Sequence, residues 1–151
     1  MVRVEIIKKL REETGLSMGQ IKSALEEAQG DESRAREILK SKGTDIADKK
    51  SSRSLGSGTI SAYVHNNKTI GAMLMLACET DFVSGNDEFK NLAYDLAMHI
   101  SATNPIDIAT LLSEPFIKDD TMSVKGLIER ATQKFGERLE LANFTRYTTK
   151  G

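Results

Sequence analysis

The hydrophobic residues of this chain change their spacing once along the sequence, and this change restricts the fold more than any other feature. As far as Gly43 they recur every three or four residues, which is the spacing of one face of an amphipathic helix. From Gly58 onward, Ile60, Ala62 and Val64 alternate with more polar residues, as in a strand with one covered face. The sequence therefore predicts an all-helical module followed by a module that mixes strands and helices.

The first module is predicted to contain three short helices joined by tight turns. A glycine stands where each helix would end, at Gly15, Gly30 and Gly43. Ser17 and Gln20 have the spacing of a capping box at the start of the second helix, and Asp31 can cap the third. A bundle of about forty residues is close to the lower size limit for independent stability. It contains no catalytic grouping, so we expect it to bind a partner, with a purely structural cap as the alternative.

A polar segment, TDIADKKSSRSLGSG, separates the two modules. Its serines and glycines are typical of a linker, although its start is compatible with a helix. Its basic residues are interpreted as a solvated hinge rather than as a binding site. We therefore predict a helical domain at residues 1–44, a linker at 45–57 and a core domain at 58–151.

The second module is predicted to be an antiparallel sheet packed with helices. Two strands flank a turn of histidine, asparagine and lysine residues, and the second strand, residues 69–78, is apolar at nearly every position. That composition predicts a central strand covered on both faces. Helices are predicted at 86–104 and 124–135, a short extended piece at 115–118, and a final strand in ERLELANFTRYT. Helices on one side of an antiparallel sheet give the α+β fold class.

Charge and composition exclude several classes of protein. The net charge is −1, from 21 basic and 22 acidic groups, so no overall positive field would attract nucleic acid. Cys78 is the single cysteine, which rules out an internal disulfide and a cysteine-rich metal site. No apolar run approaches the ~18 residues that span a bilayer, and the start of the chain lacks a signal-peptide pattern. We expect a soluble cytoplasmic protein with no direct contact with nucleic acid or membrane.

None of the reactive side chains forms a recognisable catalytic pattern. Cys78, His65 and His99 lie on separate predicted elements, so a pair of nucleophile and base is not supported. Glu79 and Asp81 are alternate carboxylates, but two carboxylates without further oxygen ligands are a weak magnesium signal. The GSG stretch lacks the lysine and the hydroxyl residue of a phosphate-binding loop. The sequence thus predicts no enzyme activity, no metal site and no cofactor.

The aromatic residue Phe82 breaks the local pattern of the segment CETDFVSGNDEFKNLA. It stands in a short polar turn between the predicted central strand and the helix that begins at Asn86. Such a residue is commonly folded back into the core. It could instead anchor a partner, because aromatic side chains in a partner's pocket often dominate binding energy and loops on a rigid scaffold present them well. The residue pattern leaves both interpretations open.

Three segments of the chain resemble bacterial translation elongation factor Ts. They are LREETGLSMGQIKSALEEAQGDESRAREILKSKG, GAMLMLACETDFVSGNDEFKNLAYDLAMHISATNP and EPFIKDD, and they follow the family's order along nearly the whole chain. Members of that family are guanine nucleotide exchange factors for elongation factor Tu. The resemblance implies a three-helix, ubiquitin-associated-like (UBA-like) domain at the N-terminus, a linker, and an α+β core with a three-stranded antiparallel sheet.

The resemblance also implies where elongation factor Tu would bind. The turn that enters its G domain would be formed by Thr80, Asp81, Phe82 and Val83. The aromatic ring would wedge between two helices near the Mg²⁺ of the nucleotide and loosen the metal and the phosphates. A second contact, beside the phosphate-binding loop, would be made by Met98 and His99. A third contact, beside the base-binding site, would be made by Arg11, Met18 and Lys22.

The chain departs from the longer members of this family. Only nine residues, 106–114, separate Asn104-Pro105 from Pro115, so the second core subdomain or long helical insertion that those members carry is absent. Contacts from such a subdomain must be lost or come from a second copy of the chain, and short members of the family are known as dimers, so a homodimer is a possible assembly. Gly85 stands where many members have a basic residue, so no basic contact is expected there. His99 could also be a helix-surface histidine that contacts no partner.

Two functions are compatible with these observations. The first is nucleotide exchange: the chain would promote GDP release during translation elongation by binding the GDP-bound and nucleotide-free forms of elongation factor Tu. The second is a binding adaptor of elongation factor Tu, or of another helical partner, that has lost exchange activity. The missing second subdomain motivates this alternative, and a measurement of GDP release separates the two.

Overall fold

The computed structural model describes residues 4–150. Its three N-terminal helices are α1 Val4–Thr14, α2 Met18–Glu27 and α3 Glu32–Lys50. The other elements follow in the order β1 Ser57–Val64, β2 Ile70–Cys78, α4 Asp81–Ser84, α5 Asp87–Thr103, α6 Ile108–Ser113, β3 Pro115–Phe116, β4 Asp119–Ser123, α7 Val124–Phe135 and β5 Glu140–Thr148. The predicted α+β fold class, with helices before a three-stranded antiparallel sheet, is confirmed.

Local sequence accounts for the ends of the first helices. The Ser17 hydroxyl accepts a hydrogen bond from the Gln20 amide while the Gln20 side chain accepts one from the Ser17 amide, so the predicted capping box is present. Asp31 caps α3, as predicted, by accepting from the Arg34 amide. Gly15 follows α1 with a φ of +67°, a left-handed conformation that favours glycine. The three helices enclose a small hydrophobic core that includes Leu10, Ile21, Leu25 and Leu39.

The prediction that Gly43 closes the third helix is wrong, because α3 continues to Lys50. Gly43 is buried against α7: a Cβ added there would lie 3.1 Å from the Gln133 side chain and 3.7 Å from the Glu129 carbonyl. The glycine therefore permits close helix packing instead of ending the helix. The part of α3 that follows Gly43 packs on α7. At its end, the Lys50 ammonium group donates a hydrogen bond to the Gly136 carbonyl at 3.0 Å.

The sheet has the strand order β1-β2-β5 with both pairs antiparallel, so β2 is central as predicted. Helix α5 packs on one face, where β2 contributes Leu74 and Leu76 to the core. The other face is open to solvent, since Met73 and Met75 are 48% and 42% exposed. The prediction that β2 is covered on both faces is therefore wrong for the single chain.

The segment between α5 and α7 contains more regular structure than the sequence predicts. Helix α5 begins after its N-cap Asn86 and ends before its C-cap Asn104, close to the predicted ends. The sequence pattern does not indicate α6, and the predicted extended piece at 115–118 is the start of a hairpin in which β3 pairs with β4. The predicted helix at 124–135 and the predicted last strand are present as α7 and β5.

Two hydrophobic clusters lie within the described residues. One belongs to α1, α2 and α3, and the other lies between the sheet and the helices that follow it, around Phe89, Leu96 and Ile100. Helix α3 extends past residue 44 and packs on α7, so the division into domains at 1–44, 45–57 and 58–151 stays a prediction. Between residues 4 and 150, no helix has both the length and the apolar character needed to cross a membrane.

Candidate partner-binding site

Phe82 lies on α4, the single helical turn that follows the central strand β2. Its side chain is 88% exposed, whereas the next residue, Val83, is 4% exposed and belongs to the core of the sheet. The interpretation that Phe82 folds back into the core is therefore wrong, because Val83 takes that place. An aromatic ring presented to solvent by a turn on a rigid sheet is typical of a partner-binding site.

Hydrogen bonds from β1 hold α4 against the sheet. Ser57 donates through its hydroxyl to Asp81 Oδ1 at 2.6 Å and lies 2.8 Å from the Ser84 hydroxyl. Thr59 donates through its hydroxyl to the Ser84 carbonyl at 3.1 Å. These bonds fix the backbone on both sides of Phe82, so the ring projects from an ordered turn.

Thr80 stands at the N-cap position of α4 but makes no capping hydrogen bond with its side chain. Its hydroxyl donates instead to Glu137 Oε2 at 2.6 Å, in the turn between α7 and β5. A residue from a distant part of the chain thus anchors the start of α4. No local pattern marks Glu137, so the sequence does not reveal its part in the site.

His99 is fully buried on α5. Its Nδ1 accepts a hydrogen bond from the Ile117 amide at 3.2 Å, which leaves Nε2 protonated to donate to Glu114 Oε1 at 3.0 Å. The ring also stacks on Phe116, with 5.8 Å between the ring centroids. His99 therefore ties α5 to the β3–β4 hairpin, and its interpretation as a helix-surface histidine is wrong. The neighbouring Met98 is half-buried.

The three residues assigned to the N-terminal contact, Arg11, Met18 and Lys22, are all exposed. Arg11 lies in the last turn of α1, and Met18 and Lys22 lie one turn apart on α2. Residues four positions apart on a helix lie on the same face, so Met18 and Lys22 can contact one partner surface together.

Lys134 links the N-terminal helices to the elements around Phe82. Its ammonium group forms an ion pair with Glu88, in the first turn of α5. The same side chain passes so close to Gly15 that an added Cβ would lie 2.8 Å from Lys134 Nζ. Burial lowers the pKa of Lys134. Because α5 begins shortly after the turn that carries Phe82, Gly15 in the α1–α2 turn and the first turn of α5 both lie beside Lys134, at the Phe82 end of the core.

The reactive side chains of the sequence do not form a catalytic arrangement. Cys78 is buried at the end of β2, and its thiol donates to the Thr80 carbonyl at 3.3 Å. Burial raises the pKa of this thiol, and the nearby Glu137 carboxylate raises it further. His65 follows β1 at the opposite end of the sheet, and His99 is enclosed by the hairpin. Over the described range 4–150, no three His, Cys, Asp or Glu side chains are grouped so that they could hold a metal ion.

A second apolar surface lies on the uncovered side of the sheet. Its exposed members, which we call the open sheet face, are Ile60, Val64, Met73, Met75 and Tyr147. The strand register places Ile60 opposite Met75 and aligns Val64 with Gly71, which in turn pairs with Tyr147. These side chains therefore form one patch across three strands, and a contiguous exposed apolar patch is typical of a protein–protein interface.

Comparison with known proteins assigns the chain to a family. The family model described as elongation factor TS matches residues 5–105 and 79–151. The elongation factor Ts of Thermotoga sp. (strain RQ2) is 37% identical over 97% of this chain and 95% of its own length. The elongation factor Ts of Thermodesulfovibrio yellowstonii is 35% identical over 97% of this chain and 95% of its own length. The chain belongs to the elongation factor Ts family.

The relatives also differ from this chain in length. The alignment with the Thermotoga protein extends over 189 positions, whereas this chain has 151 residues. The Thermotoga protein therefore contains residues that have no counterpart here. The chloroplastic polyprotein of EF-Ts from Oryza sativa subsp. japonica is 34% identical over 97% of this chain, which corresponds to 17% of that much longer relative.

Proposed function

We propose that this chain is a guanine nucleotide exchange factor that promotes release of GDP from elongation factor Tu. The observation that carries the proposal is the 88% exposure of Phe82 on a hydrogen-bonded turn, in a chain of the elongation factor Ts family. A ring that is exposed in the free protein becomes buried only when it meets a partner. Its burial energy is then available to distort the nucleotide site. This role belongs to the cytoplasm, where translation elongation takes place.

The energies involved are large enough for such a role. Burial of a phenylalanine side chain contributes roughly 1.5–3 kcal/mol. Each ~1.4 kcal/mol by which bound GDP is destabilised speeds its release about tenfold, when the barrier falls by the same amount. Because coupling between binding events is reciprocal, the exchange factor weakens nucleotide binding and nucleotide weakens binding of the factor. No covalent bond is made or broken, so the chain would catalyse dissociation without being an enzyme.

The proposed roles within the turn follow from the exposure of its side chains. Asp81 and Phe82 are exposed and would enter the G domain. Val83 is buried and would fix the turn to the core. Thr80, whose hydroxyl is bonded to Glu137, would hold the turn at its start and contact the partner through its exposed part.

Two further contacts would complete the binding site. Met98 is half-buried and keeps a surface for the partner's phosphate-binding loop. His99 has no exposed surface, so we propose that it supports Met98 by holding α5 on the hairpin. The contact beside the base-binding site would come from the exposed side chains of Arg11, Met18 and Lys22.

Release of a fluorescent GDP analogue from elongation factor Tu, measured with and without the chain, tests this proposal. We expect the dissociation rate to rise with the concentration of the chain to a plateau about a hundredfold above the spontaneous rate. An equal concentration of an unrelated protein of similar charge is the control. A release rate that stays at the spontaneous value over the whole concentration range would contradict the proposal.

A second candidate function is a non-exchanging adaptor of elongation factor Tu. It is favoured by the residues that the Thermotoga relative has and this chain lacks, because some of them could be needed for exchange. This function predicts a stable complex with elongation factor Tu together with an unchanged rate of GDP release.

We also propose that two copies of the chain pair through the open sheet face. That face exposes apolar side chains from all three strands of the sheet. Two sheets packed face to face bury such side chains between them.

Met75→Lys should convert this dimer into monomers. Met75 lies on the central strand, opposite Ile60 on one side and Asn143 on the other, so the lysine would bury an unpaired charge at the centre of the interface. We expect the dimer dissociation constant to rise by at least about a hundredfold. Sedimentation equilibrium measures it, and circular dichroism checks that the variant is folded.

Ile117→Lys provides the matched control for the dimer. Ile117 is 43% exposed, like Met75, but it lies on the β3–β4 hairpin away from the open sheet face. This variant should keep the assembly state of the wild type. A wild-type chain that is monomeric at the concentrations of the GDP release assay would contradict the dimer proposal.

A further inference from the structure

The helical turn that carries Phe82 is too short to hold its own conformation. Helix α4 spans only Asp81–Ser84, and a helix of this length is unstable in isolation. Its N-cap residue, Thr80, gives it no side-chain capping bond. The conformation of the turn must therefore be imposed by contacts from the rest of the fold.

The carboxylate of Glu137 provides these contacts at the start of the turn. Its Oε1 accepts hydrogen bonds from the Glu79 amide at 3.1 Å and from the Thr80 amide at 3.0 Å. Its Oε2 accepts one from the Thr80 hydroxyl at 2.6 Å. Hydrogen bonds to an ionised acceptor are roughly twice as strong as those between neutral groups. One side chain thus binds three donors from the two residues directly before α4.

These bonds join the two chain segments beyond the last residue pair of the β2–β5 ladder. The last pair of the β2–β5 ladder is Ala77 with Glu140, so the amides of Glu79 and Thr80 lie beyond it. The link is reciprocal, because the Glu79 carboxylate accepts a hydrogen bond from the Arg138 amide. Two links in opposite directions thus hold the two chain segments together at the start of α4.

We propose that Glu137 is a positioning residue for nucleotide exchange, which fixes the Thr80 end of α4 and so directs Phe82 outward before the partner is met. This inference rests on the exchange function proposed above. Ser57 and Thr59 hold Ser84 on the other side of the ring, so the ring lies between two anchored points. A turn that is already ordered loses little conformational freedom on binding, which leaves more of the burial energy of the ring to act on the nucleotide site.

Glu137→Ala should lower the plateau rate of GDP release while the complex still forms. Without the carboxylate the turn samples several conformations, and only a fraction of the bound molecules has the ring inserted. We expect the plateau rate to fall about tenfold and the half-saturating concentration to change by less than about twofold, because the N-terminal contacts are intact. Glu137→Gln keeps one acceptor oxygen, so its plateau rate should lie between those of wild type and Glu137→Ala.

Glu140→Ala is the matched control. Glu140 is an exposed carboxylate in the same segment of the chain, and it pairs with the Arg138 guanidinium instead of the amides before α4. The plateau rate of this variant should stay within about twofold of wild type. If the plateau rate of Glu140→Ala also falls tenfold, loss of any negative charge in this segment has the same effect. That result would overturn the specific role of Glu137.

The dependence on Phe82 separates positioning from a general structural role. In a Phe82→Ala background, Glu137→Ala should change the plateau rate by less than about twofold, because its effect passes through the ring. The same tenfold loss in both backgrounds would show that Glu137 acts through another part of the chain and would overturn the proposal. So would a wild-type plateau rate in Glu137→Ala alone.

Amide hydrogen exchange of the free chain tests the positioning role without elongation factor Tu. In Glu137→Ala the amides of Glu79, Thr80, Ser84 and Gly85 should exchange at least about tenfold faster, while those in the middle of β2 keep their protection. Unchanged protection of the turn would overturn the positioning role whatever the result with the partner. If the wild-type chain releases no GDP, the proposed function is wrong, and hydrogen exchange still decides whether Glu137 orders the turn.

Discussion

Phe82→Ala should lower the plateau rate of GDP release from elongation factor Tu about tenfold, which leaves it about tenfold above the spontaneous rate. The ring is 88% exposed in the free chain, so its removal leaves no cavity in the core. What is lost is the burial of the ring in the partner, and with it the energy that distorts the nucleotide site. The free energy of unfolding should change by less than about 0.5 kcal/mol. Stopped-flow release of fluorescent GDP and urea unfolding measure these two quantities.

Two further variants make the Phe82 measurement specific. Phe82→Leu keeps part of the apolar area, so its rate should lie between those of wild type and Phe82→Ala. Ile106 is 90% exposed on the loop after α5, and Ile106→Ala removes a similarly exposed apolar side chain from a different surface. Its rate should stay within about twofold of wild type. A Phe82→Ala variant with the wild-type release rate would contradict the wedge role of the ring. Exchange by the chain would then depend on its other contacts with elongation factor Tu.

The parts of the fold that the sequence predicts well are set by neighbouring residues. The Ser17–Gln20 capping box and the Asp31 cap each join groups three residues apart, so their signals are complete within a short window. Gly43 shows the limit of such signals. A glycine that ends a helix and a glycine that lets two helices approach have the same local sequence. Only the packing of α7, far along the chain, decides between them.

The candidate site depends on contacts that no local pattern contains. Hydrophobicity favours the core for Phe82, but in the turn Val83 is buried and Phe82 is exposed. The residue that holds the turn, Glu137, lies 57 and 58 positions away from its donors. The family resemblance selects Phe82 because it carries information about a partner, which the folding of a single chain does not. The open sheet face is a similar case. Its apolar side chains predict burial, but no element of the single chain packs on them.

His99→Ala should lower the free energy of unfolding by about 3 kcal/mol, because it removes a fully buried ring and both of its hydrogen bonds. The Ile117 amide would lose its acceptor and Glu114 would lose one donor. The stacking on Phe116 would be lost as well. A change of this size lowers the melting temperature of a chain of this length by roughly 10 °C. Urea unfolding and thermal melts followed by circular dichroism measure the effect.

His65→Ala is the control for His99, since His65 is exposed and contacts the Tyr63 hydroxyl at 3.1 Å. Its free energy of unfolding should change by less than about 0.5 kcal/mol. Below the melting temperature of His99→Ala, GDP release per folded molecule should stay within about threefold of wild type, because a buried ring acts on the partner only through the position of α5. A variant that keeps wild-type stability but loses exchange would contradict this role. It would show that the His99 ring reaches elongation factor Tu, which requires the β3–β4 hairpin to move away from α5 on binding.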